Sequence, residues 1–172
     1  MSSNFRAANS VTGDVDGTGV RVGVVCGRFN DHITNRLLEG ADNALAVHGV
    51  AESDVTVVWV PGAYEVPMAA KALIDNGHVD AVVCLGAVIR GETSHYDFVA
   101  GECARGIQDV QLATGVPVIF GVLTTENLEQ ALARSSEEDN KGEESVRTAL
   151  EMVNLLRRRL TGWHIGMMER QE

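Results

Sequence analysis

The sequence predicts one three-layer, doubly wound α/β domain: a four-stranded parallel sheet with helices on both faces. Three observations carry this. Short Val- and Ile-rich runs alternate with longer amphipathic segments. The short runs are apolar at nearly every position instead of every second one, which is how strands covered on both faces read. The length, 172 residues with 45% apolar content, suits one ordinary domain with a sizeable core.

The elements follow in order. Strands are expected over Val20 to Cys26, Val55 to Val60, Ala81 to Ile89 and Val116 to Leu123. Between the first two, His32 to His48 sets Ile33, Leu37, Leu38, Ala41 and Leu45 on one helical face, and Gly49 stops it. Helices over Val66 to Asn76 and Ser94 to Thr114 end at Gly77 and Gly115. Two more are expected, over Glu126 to Ser135 and over Glu144 to Leu160. In the latter, Val146, Ala149, Leu150, Val153 and Leu160 recur at helical spacing. The order β-α-β-α-β-α-β-α-α calls for the doubly wound architecture. Residues 1–19 read as a flexible tail, part of which could pair as an edge strand, 20–160 as the domain and 161–172 as a C-terminal tail.

Composition excludes whole classes. A net charge of -10 is wrong for a nucleic-acid-binding surface, though not for a small basic pocket. The longest apolar run, Ala81 to Ile89 between Asp80 and Arg90, is far short of the roughly 20 residues a spanning helix needs. The first residues hold no apolar signal-peptide core. Cys26, Cys84 and Cys103 lack metal-ligand spacing and read as reduced thiols. The expectation is a cytoplasmic protein with neither membrane nor nucleic-acid partner and no metal.

In doubly wound sheets, ligands sit beyond the carboxyl ends of the strands. Each strand end therefore has two readings. After the first strand comes Gly27-Arg28-Phe29-Asn30; spacing alone favours Phe29 as a staple against the next helix over a ring stacking on a planar ligand. After the second comes Pro61-Gly62-Ala63-Tyr64-Glu65-Val66-Pro67, where Glu65 is a helix-start acid or a carboxylate that accepts hydrogen bonds from a ligand. The third strand ends in Arg90-Gly91-Glu92-Thr93-Ser94-His95-Tyr96-Asp97. A Gly-led polar turn opening a long helix can cradle an anion with its N–H groups, and a histidine there can move protons near neutral pH. Asp97 either orients that ring or favours the helix start. Past the fourth strand, Thr124 or Thr125 is the expected N-cap and Phe120 is by default core. Arg134 compensates a helix end or clamps a phosphate. Glu137 to Glu144 reads as an acidic solvated connection in which Lys141, its only base, is a partnered cation. Phosphate loops, the Gly-x-Gly-x-x-Gly fingerprint, the Gly-x-Ser-x-Gly elbow and His-rich metal spacings are missing. Spacing gives a small-molecule, anion-holding site, not a reaction.

At these residues the sequence resembles the 6,7-dimethyl-8-ribityllumazine synthase family of riboflavin biosynthesis, whose fold is flavodoxin-like. The matching segments are Arg28-Phe29-Asn30, Pro61 to Pro67, Gly86 to Asp97, Phe120-Gly121-Val122-Leu123-Thr124, Glu129-Gln130-Ala131 with Arg134, and Asn140-Lys141-Gly142. They stand in family order over about residues 20–160; each alone is weak, and together they are specific. The resemblance implies condensation of 5-amino-6-(D-ribitylamino)uracil with 3,4-dihydroxy-2-butanone 4-phosphate, without cofactor or metal. It implies that Phe29 stacks on the pyrimidine, that Ala63, Tyr64 and Glu65 meet the ribityl chain and ring, and that Ala87, Val88 and Ile89 read the pyrimidine edge. Glu92 and Thr93 hold the phosphate through backbone N–H groups, Arg134 pairs with it, His95 moves protons, and Lys141 is an auxiliary candidate. It implies a homo-oligomer built of pentamers, with Phe120 and Arg134 reaching each site from the adjacent copy, and riboflavin synthase as a candidate partner. The connection Ser135 to Asn140 is one residue shorter than the commonest family spacing and carries no insertion, which leans towards a sixty-subunit shell. Two rival readings stand beside it: the fold-related riboflavin synthase type, and a non-catalytic shell protein that holds flavin-like ligands.

Overall fold

The computed structural model describes residues 10–77 and 79–160. Four parallel strands form its sheet: β1 (Val22–Gly27), β2 (Val55–Val60), β3 (Ala81–Ile89) and β4 (Val118–Thr125), in the order β2-β1-β3-β4. The helices are α1 (Asp31–Val47), α2 (Val66–Asp75), α3 (His95–Thr114), α4 (Leu128–Ala133) and α5 (Lys141–Asn154), with a π-type turn over Leu155–Leu160. This is the predicted three-layer α/β architecture, flavodoxin-like in its strand order.

The pleat divides the central strands between two cores. Val22, Val24 and Cys26 of β1 and Ala81, Val83, Leu85 and Ala87 of β3 face α1 and α5. Val25 of β1 and Val82, Cys84 and Val88 of β3 face α2 and α3. That two-sided burial is why these strands read as unbroken apolar runs. Edge strand β2 departs from it: Val57 is 43% exposed. All three cysteines are buried and free; burial pushes the Cys26 and Cys103 thiols up to about 12 and Cys84 well above its ordinary value, which makes them inert at neutral pH.

Several boundaries differ from the sequence expectation. The α4 N-cap is Asn127, whose side chain accepts from the Gln130 N–H, and not Thr124 or Thr125, which belong to β4. Helix α5 begins at Lys141, three residues before the expected Glu144. Asn140 caps it, accepting from the Gly142 and Glu143 N–H groups and donating to the Arg36 carbonyl of α1. Gly142 has little helix propensity, so the pattern hid this start. It is required there because a Cβ at Gly142 would lie 1.9 Å from the Leu37 carbonyl oxygen where α1 and α5 cross.

Residues 13–19, read from sequence as part of the flexible N-terminal tail, lie against the body of the domain. Asn154, 1% exposed, donates to the Asp14 and Asp16 carbonyls. The Gly17 N–H donates to the His48 carbonyl, and Val20 is buried. The first nine residues of the expected N-terminal tail and the expected tail over 161–172 lie outside the described residues.

Candidate active site

The carboxyl ends of β1, β2 and β3 meet because β1 and β3 are the central pair and β2 flanks β1. Beyond them opens a cleft of about 650 Å³. The β1–β2 pairing continues past the strands: the Arg28 N–H donates to the Val60 carbonyl (2.9 Å) and the Phe29 N–H to the Pro61 carbonyl (3.1 Å). Phe29 is thereby held against the Pro61-to-Glu65 turn and is 74% exposed. The staple reading of Phe29 is overturned, because a ring packed under the next helix could not stand that far in solvent. Tyr64 and Phe98 also line the cleft and are mostly exposed, so three exposed rings, with the half-buried Tyr96, surround one concavity. Exposed rings converging on a cleft mark a surface that gains its packing from a ligand or a partner.

Ala63, Tyr64 and Glu65 form a 3₁₀ turn that runs straight into α2, and all three line the cleft. Ala87, Val88 and Ile89 form its floor; Thr93 and His95 stand on the turn and first residue of α3. The His95 N–H points back to the Thr93 hydroxyl at 3.4 Å. Glu92 shares this turn without lining the cleft. Asp97 does not orient the histidine: it pairs with Arg90 at 3.1 Å.

Phe120, Arg134 and Lys141 are elsewhere. They line a second, shallower cleft of about 370 Å³ beside β4 and α5. Phe120 is 43% exposed, so the core expectation for it fails; its face of β4 is left uncovered there. Arg134 follows α4 and donates to the Gln130 carbonyl at 3.1 Å. The Arg36 Nε donates to the Ser135 backbone and hydroxyl oxygens, and the Lys141 N–H donates to the Arg134 carbonyl. These bonds close the 135–140 connection and bring the two cations together. Lys141 is partnered, as its position in an acidic run suggested. Hydrogen bonds to Glu144 (2.7 Å) and Asp139 (3.0 Å) hold its ammonium above its ordinary pKa, hence charged at neutral pH.

Asn30 was missed by sequence reasoning as a site residue. It holds the only positive φ among the described non-glycine residues, 61°. It occupies the α1 N-cap without capping; its side chain instead donates to the Ala87 carbonyl at 3.0 Å, across the cleft floor. An asparagine between a strand end and a helix start signals a cap, and nothing in its spacing says that the amide turns the other way. Tyr96, Phe98 and Val99 of α3 were missed too, since their helical spacing gave no reason to separate them from core positions. Among the described residues no cluster of metal-ligating side chains occurs.

The sequence model of 6,7-dimethyl-8-ribityllumazine synthase matches residues 19–157. That match takes in all four strands, both clefts and the connection between them, and on it this chain belongs to the 6,7-dimethyl-8-ribityllumazine synthase family.

Proposed function

We propose that the protein is a transferase of riboflavin biosynthesis that condenses 5-amino-6-(D-ribitylamino)uracil with 3,4-dihydroxy-2-butanone 4-phosphate to 6,7-dimethyl-8-ribityllumazine, releasing phosphate and water. The observation that carries this reading is the first cleft. Exposed Phe29, the Ala63–Glu65 turn, Ala87 to Ile89, and Thr93 and His95 line one concavity.

Chemistry assigns the parts. A planar pyrimidine stacks on Phe29. Its edge groups meet the strand-end peptides of Ala87 to Ile89, and the ribityl hydroxyls donate to the Glu65 carboxylate. The phosphate sits on the turn before α3, held by the backbone N–H groups of Glu92 and Thr93. His95 relays protons as the amine adds to the ketone and as phosphate leaves. Holding amine and ketone together lowers the barrier by on the order of 7–11 kcal/mol. Proton transfer by His95 adds roughly 10²–10⁴-fold.

The first cleft has no Lys or Arg among its lining residues, and a phosphate-bearing substrate calls for one. Arg134 and Lys141 stand in the second cleft. We therefore assign the complete site to the junction of two copies, the second cleft of one meeting the first of its neighbour, in a cytoplasmic homo-oligomer built of pentamers.

A direct assay tests the reaction. Purified protein is mixed with both substrates, and lumazine absorbance and phosphate release are followed above the uncatalysed background. Saturable formation of the two in equal amounts is expected. Folded protein with no rate above background overturns the reading; lumazine supplied alone then separates a riboflavin-forming enzyme from a non-catalytic binder.

A further inference from the structure

Arg90 is the residue that ties the ends of β3, β4 and α3 together. Its own N–H donates to the Thr125 carbonyl at 2.8 Å, one step beyond the last β3–β4 pair. Its Nε lies 2.9 Å from Glu126 Oε2, just past β4. Its Nη1 lies 3.1 Å from Asp97 Oδ1, in the first turn of α3. Its guanidinium carbon stands 4.1 Å over the centroid of the Tyr96 ring. The turn that this arrangement spans, Gly91 to Ser94, is the one that leads into His95.

We propose that Arg90 is a positioning residue: a clamp that sets the Gly91–Ser94 turn and His95 for the phosphate-bearing substrate. This rests on the lumazine synthase reading above. The residues of this segment have few restraints of their own. Ser94 makes no capping hydrogen bond, and the His95 N–H reaches only the Thr93 hydroxyl. Half-exposed ion pairs taken singly contribute little. Here one planar guanidinium serves two carboxylates from different elements, rests on a ring, and is itself anchored in the sheet. A planar fork fixes the direction of each of these contacts, whereas an ammonium is a point charge that fixes none of them. The clamp also neutralises two acids close to where a phosphate dianion is to bind. Left bare, Asp97 and Glu126 repel it.

The test is a mutant cycle read by substrate. In Arg90→Met, KM for the butanone phosphate rises and kcat falls, lowering kcat/KM about tenfold to a hundredfold, as a misplaced reacting group does. KM for the pyrimidine, held at the far side of the cleft, stays within about twofold. Arg90→Lys keeps the charge and folds more safely, and is expected to recover less than half of the loss on a logarithmic scale. Glu126→Gln has a smaller effect, and Arg90→Met/Glu126→Gln is no worse than Arg90→Met alone, because Glu126 acts through Arg90. Equal effects on both substrates, full recovery by Lys, or additive losses overturn the clamp. Inorganic phosphate binding, measured by titration calorimetry, separates this from the reaction itself. If wild-type protein is inactive yet binds phosphate, and Arg90→Met weakens that binding about tenfold or more, the clamp stands without the reaction. If wild-type protein neither turns over nor binds phosphate, both are overturned.

Discussion

The cleft beyond β1, β2 and β3 and the cleft beside β4 and α5 are made of opposite materials. The first is walled by exposed rings, strand-end residues and the start of a long helix, and it holds one histidine, His95, and one carboxylate, Glu65. The second is shallow, with two cations, Arg134 and Lys141, and a single ring, Phe120. Its Lys141 is already held by two carboxylates. The first offers exposed rings and an imidazole but lacks a guanidinium; the second offers a guanidinium with little to hold a ring. A substrate pair with a heterocycle on one partner and a phosphate on the other needs both kinds of surface. In one chain they line separate concavities, which supports a site completed by a neighbouring copy.

Either cleft can be disabled separately. The largest expected effect is on the chemical step. His95→Ala slows kcat by roughly 10²–10⁴-fold and stays above the solution rate, since proximity survives; unchanged steady-state kinetics remove His95 from proton transfer. Next comes the second cleft. Arg134→Ala raises KM for the phosphate substrate by roughly tenfold to a hundredfold, the range of a lost charge-assisted contact, and leaves KM for the pyrimidine nearly unmoved. The two variants also test each other. Unfolded together in equal amounts and refolded, they regain about a quarter of the wild-type sites if each site takes one cleft from each of two copies. No recovery over the separate variants means that both clefts serve a site within one chain.

Smaller effects serve as controls. At the opposite end of the sheet, Asp80 is 4% exposed and accepts from the Arg21 N–H, Nε and Nη2 and from Arg157 Nη2. Burial alone raises its pKa, but the hydrogen bonds from Arg21 and Arg157 outweigh burial and hold the carboxyl at about 2, below the ordinary 3.8. The folded state therefore gains stability from the ionised group above the unfolded value. That gain is lost as pH falls from 3.8 through about 2. Asp80→Asn is expected to cost roughly 2 kcal/mol in denaturant unfolding at pH 7, a difference that closes as pH falls towards 2, with kcat per assembled site unchanged. Phe29→Ala gives the smallest stability change, within about 0.5 kcal/mol, because the ring is largely in solvent. Its KM for the pyrimidine rises roughly twofold to tenfold, the range of one ring–ring contact. A large stability loss instead restores Phe29 to the packed interior.

The strands were legible because two-sided burial writes itself into β1 and β3 as continuous apolar runs. The third strand end was legible because glycine followed by polar residues and a helix start is a local pattern. Lys141 was legible as a partnered cation because its acids are its own neighbours in the chain. Asn30 was not: its amide bonds Ala87, which is 57 residues away. The start of α5 was hidden by Gly142, a poor helix former placed where α1 leaves no room for a Cβ. Phe29 and Phe120 carry no sign of their exposure, because local spacing cannot say whether a neighbouring element covers a ring.

By itself the sequence determined the number and type of the main elements, their parallel character and the segments that follow each strand. Those properties arise from periodicity, propensity and turn chemistry, which act over a few residues. The tertiary structure decided the strand order β2-β1-β3-β4, and with it which strand ends share a cleft. It also set Arg134 and Lys141 apart from His95, and turned Asn30 inward and Phe29 outward. Each of these depends on which distant segment arrives beside a given residue, and that is fixed by packing the whole chain at once.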